Sequence, residues 1–147
     1  GVEQIWARVL RVYGPADNPH TMVMSGLRTL LDGQTARYTA GEQQWDYLYS
    51  EDAGRALRLR AQKGHDGAVY PLGGGSARPL RDYILEIRDA GGPQARGELG
   101  AVPYPPRQVM YLCADIAQLT RDTGFRPKVS FQEGIKKTVD WMRQHHE

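Results

Sequence analysis

The chain has 147 residues, 40% of them hydrophobic, which suits one domain with a core of ordinary size. Its 19 basic and 17 acidic residues are spread along the sequence and leave a formal charge of +2, so no basic run indicates nucleic acid or an anionic membrane as a partner. No apolar stretch approaches the ~20 residues that span a bilayer, and no signal-peptide pattern begins the chain, so we expect a cytoplasmic protein.

The first predicted element is a strand over residues 5–13. Its β-favouring side chains form a nearly continuous run, as in a parallel strand that is covered on both faces. A glycine and a proline end this run, and a loop leads to an amphipathic helix that stops at Asp32. The apolar stripe of that helix consists of Val23, Leu27, Leu30 and Leu31. Residues 37–39 then predict a short strand.

The next elements predict a crossover unit. Residues 47–49 carry the aromatic and aliphatic side chains of a short strand, and residues 52–62 show helical spacing. Three residues at the helix start supply acceptors for free amides and suit the helix dipole: Ser50, Glu51 and Asp52. A strand over residues 68–72 then lies parallel to the first strand, provided that residues 15–49 form an excursion.

The second half of the chain predicts three helices. Pro79 fits the first position of a helix that fails at Gly91, and the Gly/Pro-rich residues 91–106 are predicted to be mostly loop. Residues 109–114 are a strand candidate and residues 116–122 a short helix. The last helix begins with a capping box and has a buried apolar stripe: Ser130 with Glu133, then Phe131, Ile135, Val139 and Met142.

Side chains that bind metals or form disulfides are few. Cys113 is the only cysteine and lies in an apolar run, so a buried structural thiol in a reducing compartment is expected. The histidines are far apart or terminal, and none has a second ligand at metal-site spacing, so no metal site is predicted. They are His20, His65, His145 and His146.

Five segments together carry a resemblance. The central one, GEQQWDYLYSEDAGRAL at residues 41–57, joins a glycine and a polar pair to an acidic-aromatic strand and the pattern ED-x-x-RAL. The others are RVLRVYGP (8–15), LLDG (30–33), GAVYPLGGG (67–75) and ADIAQLTRDTGFRPKVSFQEGIKKTVDW (114–141). In this order they resemble the substrate-binding part of the extended short-chain dehydrogenase/reductases, which are nucleotide-sugar epimerases, dehydratases and reductases.

The resemblance implies an α/β fold, namely the carboxy-terminal portion of a Rossmann-like enzyme of this family. Residues 5–12, 52–62 and 68–72 would complete a parallel sheet through a βαβ crossover. Residues 15–49 and 76–147 would form a small mixed α/β subdomain on the substrate side. The amino-terminal half, which binds NAD or NADP in such enzymes, is expected to be missing from this chain.

The residues that carry out the family's chemistry are also missing from this chain. Relatives bind the cofactor with a glycine fingerprint and use a catalytic tyrosine followed four residues later by a lysine, which lowers the tyrosine pKa. None of the eight tyrosines here has that lysine. The nearest glycine run, Gly73 to Gly75, has Arg78 where a third fingerprint glycine would fall, which favours an ordinary turn over a phosphate site. We therefore expect no catalytic residue and no bound cofactor in this chain alone.

Roles for particular residues follow from the resemblance. Arg11 stands where relatives have an asparagine near the sugar diphosphate, and Val12 falls on the rear wall of the nicotinamide pocket. The other candidates for nucleotide-sugar binding are His20, Thr21 and Met22 at a helix start, Tyr38 beside the nucleobase, and Trp45, Arg107 and Gln108 near the phosphates and ribose.

Several of these positions have a second interpretation. Arg11 either holds a phosphate bidentately or pairs with a carboxylate at the strand end, and Tyr38 either stacks on a base or packs in the core. Trp45 stands where relatives have a phosphate-binding arginine, and residues 107–108 are shifted in register from the arginine and acidic residue of relatives. A different nucleotide, a different pose, or replacement by Arg11 or Arg37 would each account for these departures.

Three functions compete. The leading hypothesis is the nucleotide-sugar-binding part of an NAD(P)-dependent epimerase, dehydratase or 4-keto-sugar reductase, whose partners are a nucleoside-diphosphate sugar and the missing half. The second is a non-catalytic nucleotide-sugar-binding or scaffold module of the same fold, and the third is a small α/β domain that shares only the pattern. Without its neighbours, the first strand is expected to leave a sheet edge exposed and to promote self-association.

Overall fold

The computed structural model describes residues 1–145, and this part of the chain forms short strands and five helices. The strands are β1 (Trp6–Val9), β2 (Val12–Tyr13), β3 (Ala36–Arg37), β4 (Gln44–Trp45), β5 (Leu48–Tyr49), β6 (Val69–Leu72), β7 (Arg78–Pro79), β8 (Gly97–Glu98) and β9 (Tyr111–Leu112). The helices are α1 (Met22–Leu31), α2 (Ser50–Lys63), α3 (Leu80–Ala90), α4 (Ala117–Thr123) and α5 (Phe131–Gln144). The predicted α/β class is confirmed. None of the helices described is both long and apolar enough to cross a membrane.

The predicted crossover unit is present. Strands β1 and β6 pair in parallel, with Trp6 opposite Val69 and Val9 opposite Leu72. Helix α2 lies in the connection between them. Its Ala53 and the β6 residue Leu72 belong to the same buried cluster, so the helix covers one face of this strand pair.

The strand predicted over residues 5–13 is interrupted at Leu10 and Arg11. Leu10 still donates its N–H to the carbonyl of Leu72, but the carbonyl of Arg11 accepts from the N–H of Leu48. Beyond this point β2 pairs in parallel with β5 instead of β6. The prediction of one strand was therefore wrong in this detail, because a continuous run of β-favouring residues does not reveal a change of pairing partner.

A second set of pairings joins residues 36–45 to residues 78–112. Strand β3 pairs in parallel with β8, and β4 lies between antiparallel β7 and parallel β9. The Gly/Pro-rich segment over residues 91–106 is mostly loop, as predicted, and contributes only β8. The strand predicted over residues 109–114 is reduced to β9, because pairing depends on long-range contacts that local composition does not encode.

The predicted cap of α5 is present, whereas Pro79, predicted at the first position of α3, lies one residue earlier, at the N-cap. Thr21 caps α1 by accepting from the N–H of Met24, and Ser130 caps α5 by accepting from the N–H of Glu133. Helix α2 has no side-chain cap, so the predicted acceptor role of its first-turn residues was wrong, although the predicted acidic residues Glu51 and Asp52 do lie in that turn. Asp52 instead accepts from the N–H groups of Lys128 and Val129, in the loop before α5.

The buried apolar residues form two clusters. One joins α1, α3 and α5 around Leu27, Ile84 and Ile135. The other joins α2, β6 and α4 around Tyr70 and Phe125. The first cluster lies on the predicted substrate side of the chain, and the second lies beside the parallel strands.

Candidate functional site

A cleft of about 400 Å³ opens beyond the carboxyl end of β1, the side of a parallel sheet where ligands commonly bind. We call it the Arg11 cleft. Its walls come from the strand interruption, the loop before α1, the start of α1 and one tyrosine between β4 and β5. The lining residues are Leu10, Arg11, Val12, Tyr13, Asp17, His20, Thr21, Met22, Val23 and Tyr47.

The cleft brings together five of the nine residues that the sequence singled out. They are Arg11, Val12, His20, Thr21 and Met22. Arg11 and Val12 come from the end of the interrupted strand, and the other three come from the start of α1. Their assigned roles remain predictions, but the proximity of the two segments follows directly from the fold.

Arg11 is the main charged group of the cleft. Its guanidinium carbon lies 3.8 Å from the ring centroid of Trp45, which is a cation–π contact. Its Nε is buried and has no hydrogen-bond partner. Within residues 1–145 no carboxylate lies within 4.0 Å of this guanidinium. The alternative of a strand-end ion pair is therefore not what the described residues show, and the terminal nitrogens remain available to an anion.

The start of α1 adds a second source of positive potential. Met22 and Val23 both line the cleft, their N–H groups belong to the first turn of α1, and no acidic residue of that turn neutralises the positive end of the helix dipole. Asp17 is the carboxylate on the cleft wall. One of its oxygens accepts from the N–H of Asn18 at 2.7 Å, and the other lies 3.4 Å from the hydroxyl of Thr21.

Tyr47 is a cleft residue that sequence reasoning placed only in a short strand. It lies between β4 and β5 and packs edge-on against Tyr13 and Tyr83. Burial raises the pKa of Tyr47 well above its usual range, and the nearby charge of Arg11 partly offsets this effect. The available signal was the position of Tyr47 directly after Asp46, within the stretch that carries the resemblance.

Tyr38 lies at a second, adjoining cavity of about 330 Å³. Met22 lines both cavities, and Arg37 also lines the second one. The hydroxyl of Tyr38 is buried and has no hydrogen-bond partner, and burial raises the pKa of Tyr38 to about 12. A Cβ at Gly26 would lie 2.5 Å from this hydroxyl, so the absence of a side chain in α1 makes room for the tyrosine.

The remaining predicted residues lie behind or beside the cleft. Trp45 is only 7% exposed and is not a lining residue; its ring lies under Arg11. Its Nε1 donates to the carbonyl of Val109, which follows directly on Gln108. Arg107 is exposed and has a left-handed backbone with φ of 63°.

The glycine run after β6 forms an internal turn. The N–H of Gly74 and the N–H of Gly75 both donate to the carboxylate of Asp46, at 2.7 and 3.1 Å. A Cβ at Gly73 would lie 2.7 Å from the same carboxylate, which explains the glycine there. These two amides already have an acceptor, so the turn is not a free phosphate cradle. In residues 1–145 no group of three potential metal-ligating side chains is found.

Comparison with known proteins assigns the family. Residues 1–73 match the model of the NAD-dependent epimerase/dehydratase family. The dTDP-glucose 4,6-dehydratase of Streptomyces niveus is 29% identical over 99% of this chain and 43% of its own length. The enzyme of the same name from an Actinoplanes species is 31% identical over 97% of this chain and 45% of its own length.

Solved structures agree with the sequence comparison. UDP-glucose 4-epimerase of Thermotoga maritima, in a crystal structure with UDP-glucose, superposes with a TM-score of 0.87 at 26% identity, over 97% of this chain and 47% of that chain. A dTDP-glucose 4,6-dehydratase of Streptomyces venezuelae with bound NAD gives a TM-score of 0.83 at 26% identity, over 96% and 44%. The chain thus spans less than half the length of these relatives. It belongs to the NAD-dependent epimerase/dehydratase family, a family of extended short-chain dehydrogenase/reductases.

Proposed function

We propose that this chain is the nucleotide-sugar-binding carboxy-terminal part of an NAD(P)-dependent sugar epimerase, dehydratase or 4-keto-sugar reductase, and that it is inactive alone. The observation that carries the proposal is the guanidinium of Arg11, which lies in the Arg11 cleft without a carboxylate partner among residues 1–145. A planar cation beside a helix N-terminus suits an oxyanion such as a phosphate of a nucleoside diphosphate.

The second cavity indicates how a bound ligand would be oriented. Met22 lines both the Arg11 cleft and the cavity at Tyr38, so a ligand with its diphosphate near Arg11 can extend one end toward Tyr38. A nucleobase suits the tyrosine end, because aromatic side chains combine a flat apolar face with a polar tip. The sugar would then lie toward Val12 and Tyr47.

In the complete enzyme, a cofactor would accept a hydride from a sugar carbon. This chain would contribute an apolar wall to the cofactor site, formed by Leu10 and Val12 at the end of the interrupted strand. That wall fits an uncharged ring edge and provides no acid or base. We propose that the catalytic acid/base and the pyrophosphate-binding amides come from a separate cofactor-binding half.

An exposed apolar face supports the proposal of a separate cofactor-binding half. Trp6 and Val69 lie opposite each other in register and are 61% and 39% exposed. In the proposed domain plan, residues 5–12, 52–62 and 68–72 complete a larger parallel sheet, and helices of the other half would cover this face. The separate cluster around α1, α3 and α5 would form the substrate side.

Titration calorimetry with UDP-glucose and dTDP-glucose tests the binding proposal. We expect the 147-residue chain to bind at least one of them, and Arg11→Ala to weaken binding by about 1.5–3 kcal/mol, the range for hydrogen bonds to charged groups. Arg88→Ala is the matched control, since this arginine on α3 pairs with Asp89 away from the cleft. Unchanged affinity in Arg11→Ala would remove this residue from the site, and no binding of either sugar by the wild-type chain would overturn the proposal.

A catalytically silent binding module is the second candidate, favoured by the absence of a tyrosine with a lysine four residues later. Assays of the chain with NAD or NADP and each sugar nucleotide should show no hydride transfer under either hypothesis. A longer protein that carries this chain separates the two. Cofactor-dependent conversion of the nucleotide sugar to an epimer, a dehydrated keto sugar or a reduced sugar would establish the enzyme, and nucleotide-sugar binding without conversion would establish the module.

A further inference from the structure

The contact between Arg11 and Trp45 is a stack in which the ring lies behind the guanidinium. The guanidinium carbon is 3.8 Å from the ring centroid, well inside the ~6 Å limit of an effective cation–π contact. Trp45 does not line the Arg11 cleft, whereas Arg11 does. The tryptophan therefore acts on the cleft through the arginine.

Trp45 is held through both its ring and its backbone. The ring Nε1 donates to the carbonyl of Val109 at 3.1 Å, and the backbone carbonyl accepts from the hydroxyl of Tyr83 at 3.1 Å. Trp45 also lies in β4, the middle strand of the β7-β4-β9 sheet. A residue with its backbone in a central strand and its ring nitrogen hydrogen-bonded is a rigid support for a flexible side chain.

Arg11 needs such a support. Its side chain makes no hydrogen bond or ion pair within the described residues, and its buried Nε has no partner. A free arginine side chain loses rotamer entropy when it is fixed in one conformation. Stacking on Trp45 restricts the side chain before a ligand arrives, so less entropy is lost on binding. It also leaves the edge of the guanidinium free for a bidentate contact.

We propose that Trp45 is a positioning residue that presents the guanidinium of Arg11 to an oxyanion of the ligand. This inference rests on the proposed function, and it adds that affinity for the anionic group depends on the aromatic face at position 45. The oxyanion is either a phosphate of the nucleoside diphosphate or a carboxylate on the sugar. UDP-glucose carries only the first, and UDP-glucuronic acid carries both.

A double-mutant cycle tests the inference by calorimetry with these two probes at one fixed ionic strength. We expect Trp45→Leu to weaken binding about 3- to 30-fold in the wild-type background, which corresponds to the range of cation–π energies, and to have no effect in an Arg11→Gln background. Trp45→Phe keeps the aromatic face without the bond to Val109 and should restore most of the affinity. Equal losses for both probes assign the oxyanion to the diphosphate, and a larger loss with UDP-glucuronic acid assigns it to the carboxylate.

A ligand-free measurement covers the case in which Trp45→Leu does not fold. The Nε–H resonance of Arg11 should be shifted by the tryptophan ring current in the wild-type chain, and the shift should become smaller in Trp45→Phe. Additive losses in the cycle, or an Arg11 resonance that does not respond to the ring at position 45, would overturn the positioning role while the proposed function stands. Failure of the wild-type chain to bind either probe would instead overturn the proposed function, and this inference with it.

Discussion

The carboxylate of Asp46 accepts a hydrogen bond from the backbone N–H of Ala114 at 3.0 Å, across 68 residues of sequence. It also accepts from Gly74 and Gly75, and the side chain is 1% exposed. Three segments of the chain therefore meet at one buried anion. Trp45 precedes this aspartate and Tyr47 follows it, so the same anchor fixes two residues of the candidate site.

Asp46→Ala is expected to lower the free energy of unfolding by about 3–5 kcal/mol, because one buried and two partly buried N–H groups would lose the acceptor that joins their segments. Urea unfolding followed by circular dichroism measures the change. Asp89→Asn is the control; that carboxylate is exposed and, among residues 1–145, pairs only with the adjacent Arg88, so a change within about 0.5 kcal/mol is expected. A loss below about 1 kcal/mol in Asp46→Ala would show that water replaces the carboxylate.

Local patterns predicted the elements that local forces decide. The capping residue Ser130 and the apolar stripe from Phe131 to Met142 depend on neighbours in sequence, and the structure has them as predicted. The parallel pairing of β1 with β6 was also predicted, because a strand-helix-strand unit has few ways to fold.

Long-range contacts account for what the sequence did not predict. Asp52 was expected to cap its own helix, but the loop at Lys128 lies within reach and offers two N–H groups to the same carboxylate. Arg11 was placed in the middle of a strand, whereas the strand changes its partner at this residue. Tyr47 was assigned only to a strand, because its position after Asp46 marks it as part of the resembling stretch but does not show that it lines the cleft.

Two helix glycines are expected to respond in opposite directions to alanine. A Cβ at Gly26 would lie 2.5 Å from the hydroxyl of the buried Tyr38, so Gly26→Ala should lower the free energy of unfolding by about 1–3 kcal/mol. A Cβ at Gly54 would meet nothing within 4 Å, so Gly54→Ala should raise it by about 0.5–1 kcal/mol. Thermal or urea unfolding of both variants measures the pair. A Gly26→Ala variant at least as stable as the wild type would contradict the packing of Tyr38 against α1.

Arg107 is expected to show opposite effects on stability and binding. Its φ of 63° is unfavourable for a residue with a Cβ, so Arg107→Gly should raise the free energy of unfolding by about 1 kcal/mol. If the side chain contacts a phosphate, as the resemblance implies, the same variant should weaken binding of dTDP-glucose. Arg96→Gly, at an exposed position with ordinary φ, should not stabilise the protein. A less stable Arg107→Gly variant would contradict the argument from φ.

The contact between Tyr70 and Asp122 should make stability depend on acid pH. The hydroxyl of Tyr70 donates to Asp122 at 2.7 Å and lowers the pKa of this carboxyl below its usual value of 3.8, and the charges of His65 and Arg121 act in the same direction. Because the folded-state pKa is the lower one, this contribution is complete above pH 3.8 and is lost as the pH falls through the folded-state pKa.

Urea unfolding of wild type and Tyr70→Phe between pH 7 and pH 2 measures this effect. The stability difference between the two proteins should be constant near neutral pH and should shrink below pH 3.8. Tyr111→Phe serves as the control, since its ring is exposed and its difference from wild type should be small at every pH. A Tyr70→Phe difference that does not change with pH would show that the hydroxyl leaves the pKa of Asp122 unaltered.

The exposed face at Trp6 should make the chain self-associate. Trp6 lies opposite Val69 on β1 and β6, and both side chains are exposed on a two-stranded sheet, an arrangement that favours contact with a second apolar surface. We expect the average mass from light scattering to rise with protein concentration in the wild-type chain, and Trp6→Lys to abolish the rise. Val102→Lys removes an exposed apolar side chain outside this sheet and should leave the association unchanged. A wild-type chain that stays monomeric at every concentration would show that water covers this face without cost to solubility.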